Sequence, residues 1–121
     1  MSSLDDAKNL VSTLDQIEET FTRNIPKEVK GNTDTTVALI TAVRTDPTDL
    51  GNNDYFSIER QIELQIFYSL NIDYDPEDLE NKIMKLFKDS FWNIIQPGVL
   101  NTDPDTFQLY ESFYLSKKYD S

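Results

Sequence analysis

The sequence predicts an α+β fold of two layers: a mainly antiparallel four-stranded sheet carrying two helices on one face, in the order α-β-β-α-β-β. Apolar residues recur at three- and four-residue steps in two stretches and alternate at steps of two in others. The strand runs come in pairs between the helical stretches, which suits an antiparallel sheet with segregated helices. At 121 residues, 38% hydrophobic and 12% aromatic, the chain can fill one core. It reads as a single domain, residues 1–121.

The first helix starts at Ser3-Leu4-Asp5-Asp6, with a capping hydroxyl followed by acids that the helix dipole favours. Leu4, Ala7, Leu10, Val11, Leu14, Ile17 and Phe21 form one apolar stripe on a helix of about 16–18 residues. Asn24-Ile25-Pro26 ends it, because the residue before proline is pushed out of the helical region. Lys27 to Thr33 reads as a linker. Thr35 to Arg44 is rich in β-branched residues and short, so it reads as a strand. Val37, Leu39 and Val43 share one face, opposite Ala38, Ile40 and Ala42. With both faces apolar, this strand is either central or meets a partner through its outer face.

Ile58 to Tyr68 alternates strictly: Ile58, Arg60, Ile62, Leu64, Ile66 and Tyr68 point one way, and Glu59, Gln61, Glu63 and Gln65 the other, until Phe67. One face is in a core and one is wet. Thr45 to Ser57 is a long polar linker between the two strands. Asp75-Pro76-Glu77-Asp78 opens the second helix with an Asp cap, proline at the first position and acids. Leu79, Ile83, Leu86, Phe87 and Phe91 follow on one face, and the helix ends near Ser90-Phe91. Trp92 to Gln96 is a third strand, stopped by Pro97-Gly98. After the turn-rich Asn101 to Asp105, the last strand runs from Thr106 to Lys117. It sets Phe107, Leu109, Phe113 and Leu115 against Gln108, Tyr110, Ser112, Tyr114 and Ser116.

Composition excludes much. Neither His nor Cys occurs, so the usual neutral-pH general base, thiol nucleophiles, disulfides, and His- or Cys-held zinc, haem and iron–sulfur centres are ruled out. Lys and Arg number 11 against 22 Asp and Glu, a net charge of −11 that repels phosphate backbones. The acidic start MSSLDDAKNL has no apolar h-region, and no window reaches the roughly 18 apolar residues of a membrane helix. The chain is expected to be intracellular, without a membrane partner. Only Gly31, Gly51 and Gly98 are present, so no phosphate-cradling glycine loop exists.

The acidic stretch Asp46 to Asp54, with Asp49, Asn52 and Asn53, places Gly51 sixth from Asp46 as a calcium loop would. Leu50 and Ser57 then fall where a ligand and a bidentate Glu belong, so it reads as a solvated loop. Its carboxylates, and the pairs Asp73/Asp75, Asp103/Asp105 and Glu59/Glu63, lie in turns or outward on a strand, where solvation explains them. No enzyme is expected. The row Glu59, Gln61, Glu63, Gln65 is either an ordinary solvent face or a negative wall facing a channel in a ring. Tyr110 and Tyr114, opposite an apolar face, are either interface residues or partly buried sheet residues. Lys82, Lys85 and Lys88 form the wet side of the second helix or bridge to an acidic neighbour.

Three stretches taken together, DTTVALIT (Asp34 to Thr41), GNNDYFSIERQIELQIFY (Gly51 to Tyr68) and WNIIQPGVLNTDPDTFQLYESFY (Trp92 to Tyr114), resemble a family of small structural proteins from long-tailed phages and prophages of Gram-positive bacteria. That family is similar to the lambda-type tail terminators, also called tail-completion or tail-to-head joining proteins. The likeness spans Ile25 to Lys117. It implies a virion structural protein without catalysis or cofactor. Such a protein forms a ring, usually a hexamer, that caps the tail tube, ends its elongation and joins it to the head connector, and it can be a monomer when free.

The implied partners are further copies of the chain, the major tail tube protein and the connector or stopper protein, with DNA passing through unbound. The place of action is the head-proximal end of a siphophage tail, after assembly in the host cytoplasm. On this basis Glu59, Gln61, Glu63 and Gln65 are the candidate lumen face, and Asp46, Asp49, Asn52, Asn53 and Asp54 the candidate docking loop. Ile40, Tyr110 and Tyr114 are the candidate subunit contacts. The alternatives are another neck or head-completion protein of the virion, and an acidic DNA-mimic inhibitor.

Overall fold

The computed structural model describes residues 2–25, 34–48 and 57–120. Its elements are α1 (Ser3–Val11), β1 (Glu19–Thr22), β2 (Val37–Thr48), β3 (Ser57–Phe67), α2 (Pro76–Asp89), β4 (Asn93–Thr102) and β5 (Leu109–Asp120). The strands form one sheet in the order β1-β2-β3-β5-β4. β1 runs parallel to β2, and every other pairing is antiparallel. The expected four-stranded antiparallel sheet in the order α-β-β-α-β-β is therefore corrected to a five-stranded mixed sheet with two helices.

The fifth strand comes from the chain read as the second half of the first helix. The α1 cap is Ser2, whose side chain accepts from the Asp5 amide at 3.1 Å, and the helix stops at Val11. Just beyond, the Ser12 and Thr13 hydroxyls donate to the carbonyls of Lys8 and Leu10, both at 2.7 Å, competing with continuation of the helix. Turns then close from Leu14 to Val11 and from Ile17 to Leu14. They keep a near-helical spacing and bring Ile17 into the core without a helix. Thr20, Phe21 and Thr22 are strand formers and extend alongside Val37–Ile40.

β2 runs four residues past its expected end. A bulge between Ala42 and Arg44 shifts the register and leaves Val43 exposed, and Asp46 and Pro47 still pair with Glu59 and Ile58. β1 borders only Val37–Ile40, so from Thr41 onward no described strand flanks β2 on that side. Pro47 is tolerated on such an edge. Likewise Pro97-Gly98 does not end β4 but sits inside it, in an irregularity between Gln96 and Val99. α2 follows its sequence signals: Asp75 caps the Glu77 amide at 3.0 Å, and Pro76 is the first residue.

Both helices lie on one face. α1 packs over β1, β2 and β3 and touches α2, which reaches β4. The alternation of β3 puts Ile62, Leu64, Ile66 and Tyr68 in a cluster with Ala38 and Ile40 of β2, Phe113 and Leu115 of β5, and the helical Ala7, Val11, Leu79, Ile83 and Phe87. Phe87 meets Trp92 edge-on, with centroids 5.4 Å apart. No helix among the described residues is long and apolar enough to cross a membrane.

Candidate functional site

The other face of the sheet has no described helix or strand over it. Strand alternation sends Glu59, Gln61, Glu63 and Gln65 to it, and the register sets Lys118, Ser116, Tyr114 and Ser112 of β5 directly opposite them. The Ser116 hydroxyl donates to Glu59 Oε2 at 3.1 Å. The Glu63 carboxylate raises the Tyr114 hydroxyl above its usual range, chiefly through its charge. Tyr110 lies at the apolar end of the same face, stacked on Phe67 at 6.4 Å, with Val37 next in the row. The expected lumen row and the two expected contact tyrosines thus form one surface.

Ile40 does not join them. It is fully buried among the core residues, opposite Leu64, and so is not offered to a neighbouring subunit; the outward residues beside it are Leu39 and Thr41. The bulge accounts for Val43 alone; Val37 and Leu39 are outward apolar residues of the regular part of the strand. Asp46 lies near the end of β2 in an ion pair with Arg44 at 2.8 Å. Asp49, Asn52, Asn53 and Asp54 lie outside the described residues, as does the linker from Lys27 to Thr33. On α2, Lys82, Lys85 and Lys88 are all exposed, and Lys85 bridges to Asp89 at 3.0 Å.

An acid sits inside the fold. Glu111 falls on the inward face of β5 between Leu109 and Phe113 and is fully buried. The Tyr68 hydroxyl donates to its Oε1 at 2.7 Å, while Oε2 has no donor. Burial, and then the neighbouring Glu80 side chain, push the Glu111 carboxyl up from 4.5 to about 7. Both influences favour the protonated, neutral form of Glu111. Burial and this carboxylate together drive the Tyr68 hydroxyl far above its usual range. Gly98 makes the room: a Cβ there would collide with the Glu111 carboxylate and come within 2.8 Å of the Phe113 ring. The signal was present in the sequence as an acid interrupting an otherwise apolar alternation.

At the sheet edge, α2 ends in a Schellman motif: the Trp92 amide donates to the Phe87 carbonyl at 2.9 Å and the Phe91 amide to the Lys88 carbonyl at 3.1 Å. The left-handed position of that motif, which favours glycine, holds Phe91 at φ 70°, 84% exposed. Phe107 repeats the pattern in the turn before β5, at φ 61° and 73% exposed, its amide bonded to the Asp103 carbonyl at 2.8 Å. A non-glycine residue in this conformation costs about 1–2 kcal/mol. Spacing alone groups Phe91 with the apolar stripe of α2 and Phe107 with the apolar face of β5, and the structure turns both outward.

A polar cleft of about 410 Å³ opens where the α1–β1 turns meet the β3–α2 loop, lined by Asp15, Glu18, Thr36, Asp73 and Tyr74 among others. Its side chains mostly satisfy one another: Glu18 accepts from the Thr36 amide at 3.1 Å, and the Thr36 and Tyr74 hydroxyls pair at 3.3 Å. Among the described residues, no three acidic side chains come together as metal ligands. The arrangement suits surface recognition: hydrogen bonding from the bare face, and apolar contact from the β4 edge.

The family model described as "Protein of unknown function (DUF806)" matches residues 3–120, and the chain belongs to that family. No curated protein matches it.

Proposed function

We propose that this member of the DUF806 family is a non-enzymatic virion structural protein that caps the phage tail tube, terminates its elongation and provides the joint to the head connector. The observation that carries the proposal is the bare outer face of the five-stranded sheet. A two-layer fold of this size leaves that surface for contacts, and its centre is a row of Glu and Gln faced by Lys118 at one end and by hydroxyls along the rest. In a ring, Glu59, Gln61, Glu63 and Gln65 face the DNA path, where carboxylates repel phosphate and let DNA pass without sticking. Tyr110 and its partner Phe67 form an apolar margin suited to a neighbour. The resemblance of the three quoted stretches to tail terminators and the net charge of −11 support the same reading.

Negative-stain microscopy of the protein mixed with purified, head-free tail tubes tests it. The expected result is ring-like density on one end of each tube. Tubes left bare at both ends overturn the terminator assignment, and binding to isolated head connectors alone moves the protein to the head side of the neck.

A further inference from the structure

Phe91 and Phe107 are hard to explain from inside the chain. Each occupies a left-handed backbone position that glycine would take without strain, and each leaves most of its ring in water. Non-glycine residues in such positions cluster at functional sites, and of the three among the described residues (Arg23, Phe91 and Phe107) these two are the large apolar ones. Between them in sequence runs β4, an edge strand whose Ile95, Val99 and Leu100 are about half exposed. The thirteen residues from Ser90 to Thr102 carry no charge, the longest such run in the chain. The next two, 35–43 and 64–72, include much of β2 and the end of β3, whose inward apolar side chains lie in the core.

Edge strands ordinarily defend themselves with charged side chains. β4 has none and relies on the Pro97-Gly98 irregularity, which breaks the ladder into short arms and disfavours addition of a long foreign strand. What remains is side-chain contact with an apolar surface. Charge narrows the partner. A basic protein would be met by carboxylates and a nucleic acid by Lys or Arg, and the strip offers neither. Two copies of a chain at net charge −11 repel one another on the whole, and an uncharged surface lets them meet with the least repulsion. The strip is that surface, and Asn101 pairs with Tyr110, so it is continuous with the margin already assigned to a neighbour.

We infer that the β4 edge, anchored by Phe91 and Phe107, is the contact through which a second copy of this chain binds. The inference rests on the reading that copies of the chain assemble, and it names the surface that does so.

Sedimentation velocity of the full chain over a wide concentration range tests it, with Phe91→Gly/Phe107→Gly and, separately, Val99→Lys. The wild type is expected to self-associate. The double glycine variant is expected to do so at least tenfold more weakly while melting at a higher temperature, because the backbone strain is gone. Val99→Lys keeps both rings and is expected to lose association with an unchanged melting temperature. Association of both variants equal to wild type, a wild type that stays monomeric throughout, or a double variant that melts lower each overturns the inference. Tube capping is scored separately. Capping without strip-dependent association removes this inference alone, and strip-dependent association without capping removes the functional proposal alone.

Discussion

Replacing Glu111 with Gln tests the buried acid directly. Gln keeps the shape, can still accept from the Tyr68 hydroxyl, and carries a permanent N–H for the place where Oε2 has no donor. The wild-type carboxyl titrates at about 7 in the fold against 4.5 ordinarily. A raised folded-state value means that the native protein holds this proton more tightly than the unfolded chain. Its contribution is therefore fully present below pH 4.5, falls as the pH rises through about 7, and is gone above that. At 1.36 kcal/mol per pH unit, the gap between 4.5 and about 7 bounds the effect at about 3 kcal/mol, and the electrostatic coupling of Glu111 to its neighbour brings the expectation to about 1–3 kcal/mol. Urea unfolding of both proteins at about pH 5 and about pH 8 reads this out. Glu111→Gln should gain on the wild type by that amount between the two conditions. Equal gaps at both pH values would mean that Glu111 stays ionised, and would refute the raised, protonated Glu111.

Gly98→Ala forces a methyl group against the same carboxylate and the Phe113 ring, and should cost about 1–3 kcal/mol by thermal or urea unfolding. Because Thr48 pairs with Ser57, replacing residues 49–56 by Asn-Gly leaves a two-residue hairpin connection. That variant should keep its melting temperature and lose tail-tube capping; if it unfolds, the docking-loop assignment fails. Glu63→Gln removes the charge facing Tyr114, and an ultraviolet pH titration should show a tyrosine hydroxyl moving back toward its ordinary value. Glu59→Lys/Glu63→Lys should assemble and cap tubes yet slow DNA ejection from finished particles; unaltered ejection would take that row out of the lumen.

Where one physical rule dominated locally, the sequence was a sufficient guide. The β3 alternation placed Ile62, Leu64 and Ile66 inward and the Glu–Gln row outward, because side chains on a strand have a period of two and only one face had a core to meet. Asp75-Pro76 opened α2, since cap and dipole act within a single turn. The absence of His and Cys constrains the chemistry whatever the fold. Tertiary structure decided what spacing leaves ambiguous. Leu14, Ile17 and Phe21 keep helical intervals, but turns and a parallel strand meet the same intervals, and pairing with Val37–Ile40 selects the strand. Ile40 goes inside because its register with distant Leu64 sets where it points, whereas Phe91, equally apolar, is turned outward by the local cap of α2. Glu111 meets Tyr68 and Gly98 across 43 and 13 residues of chain, respectively, and only the folded sheet brings them together.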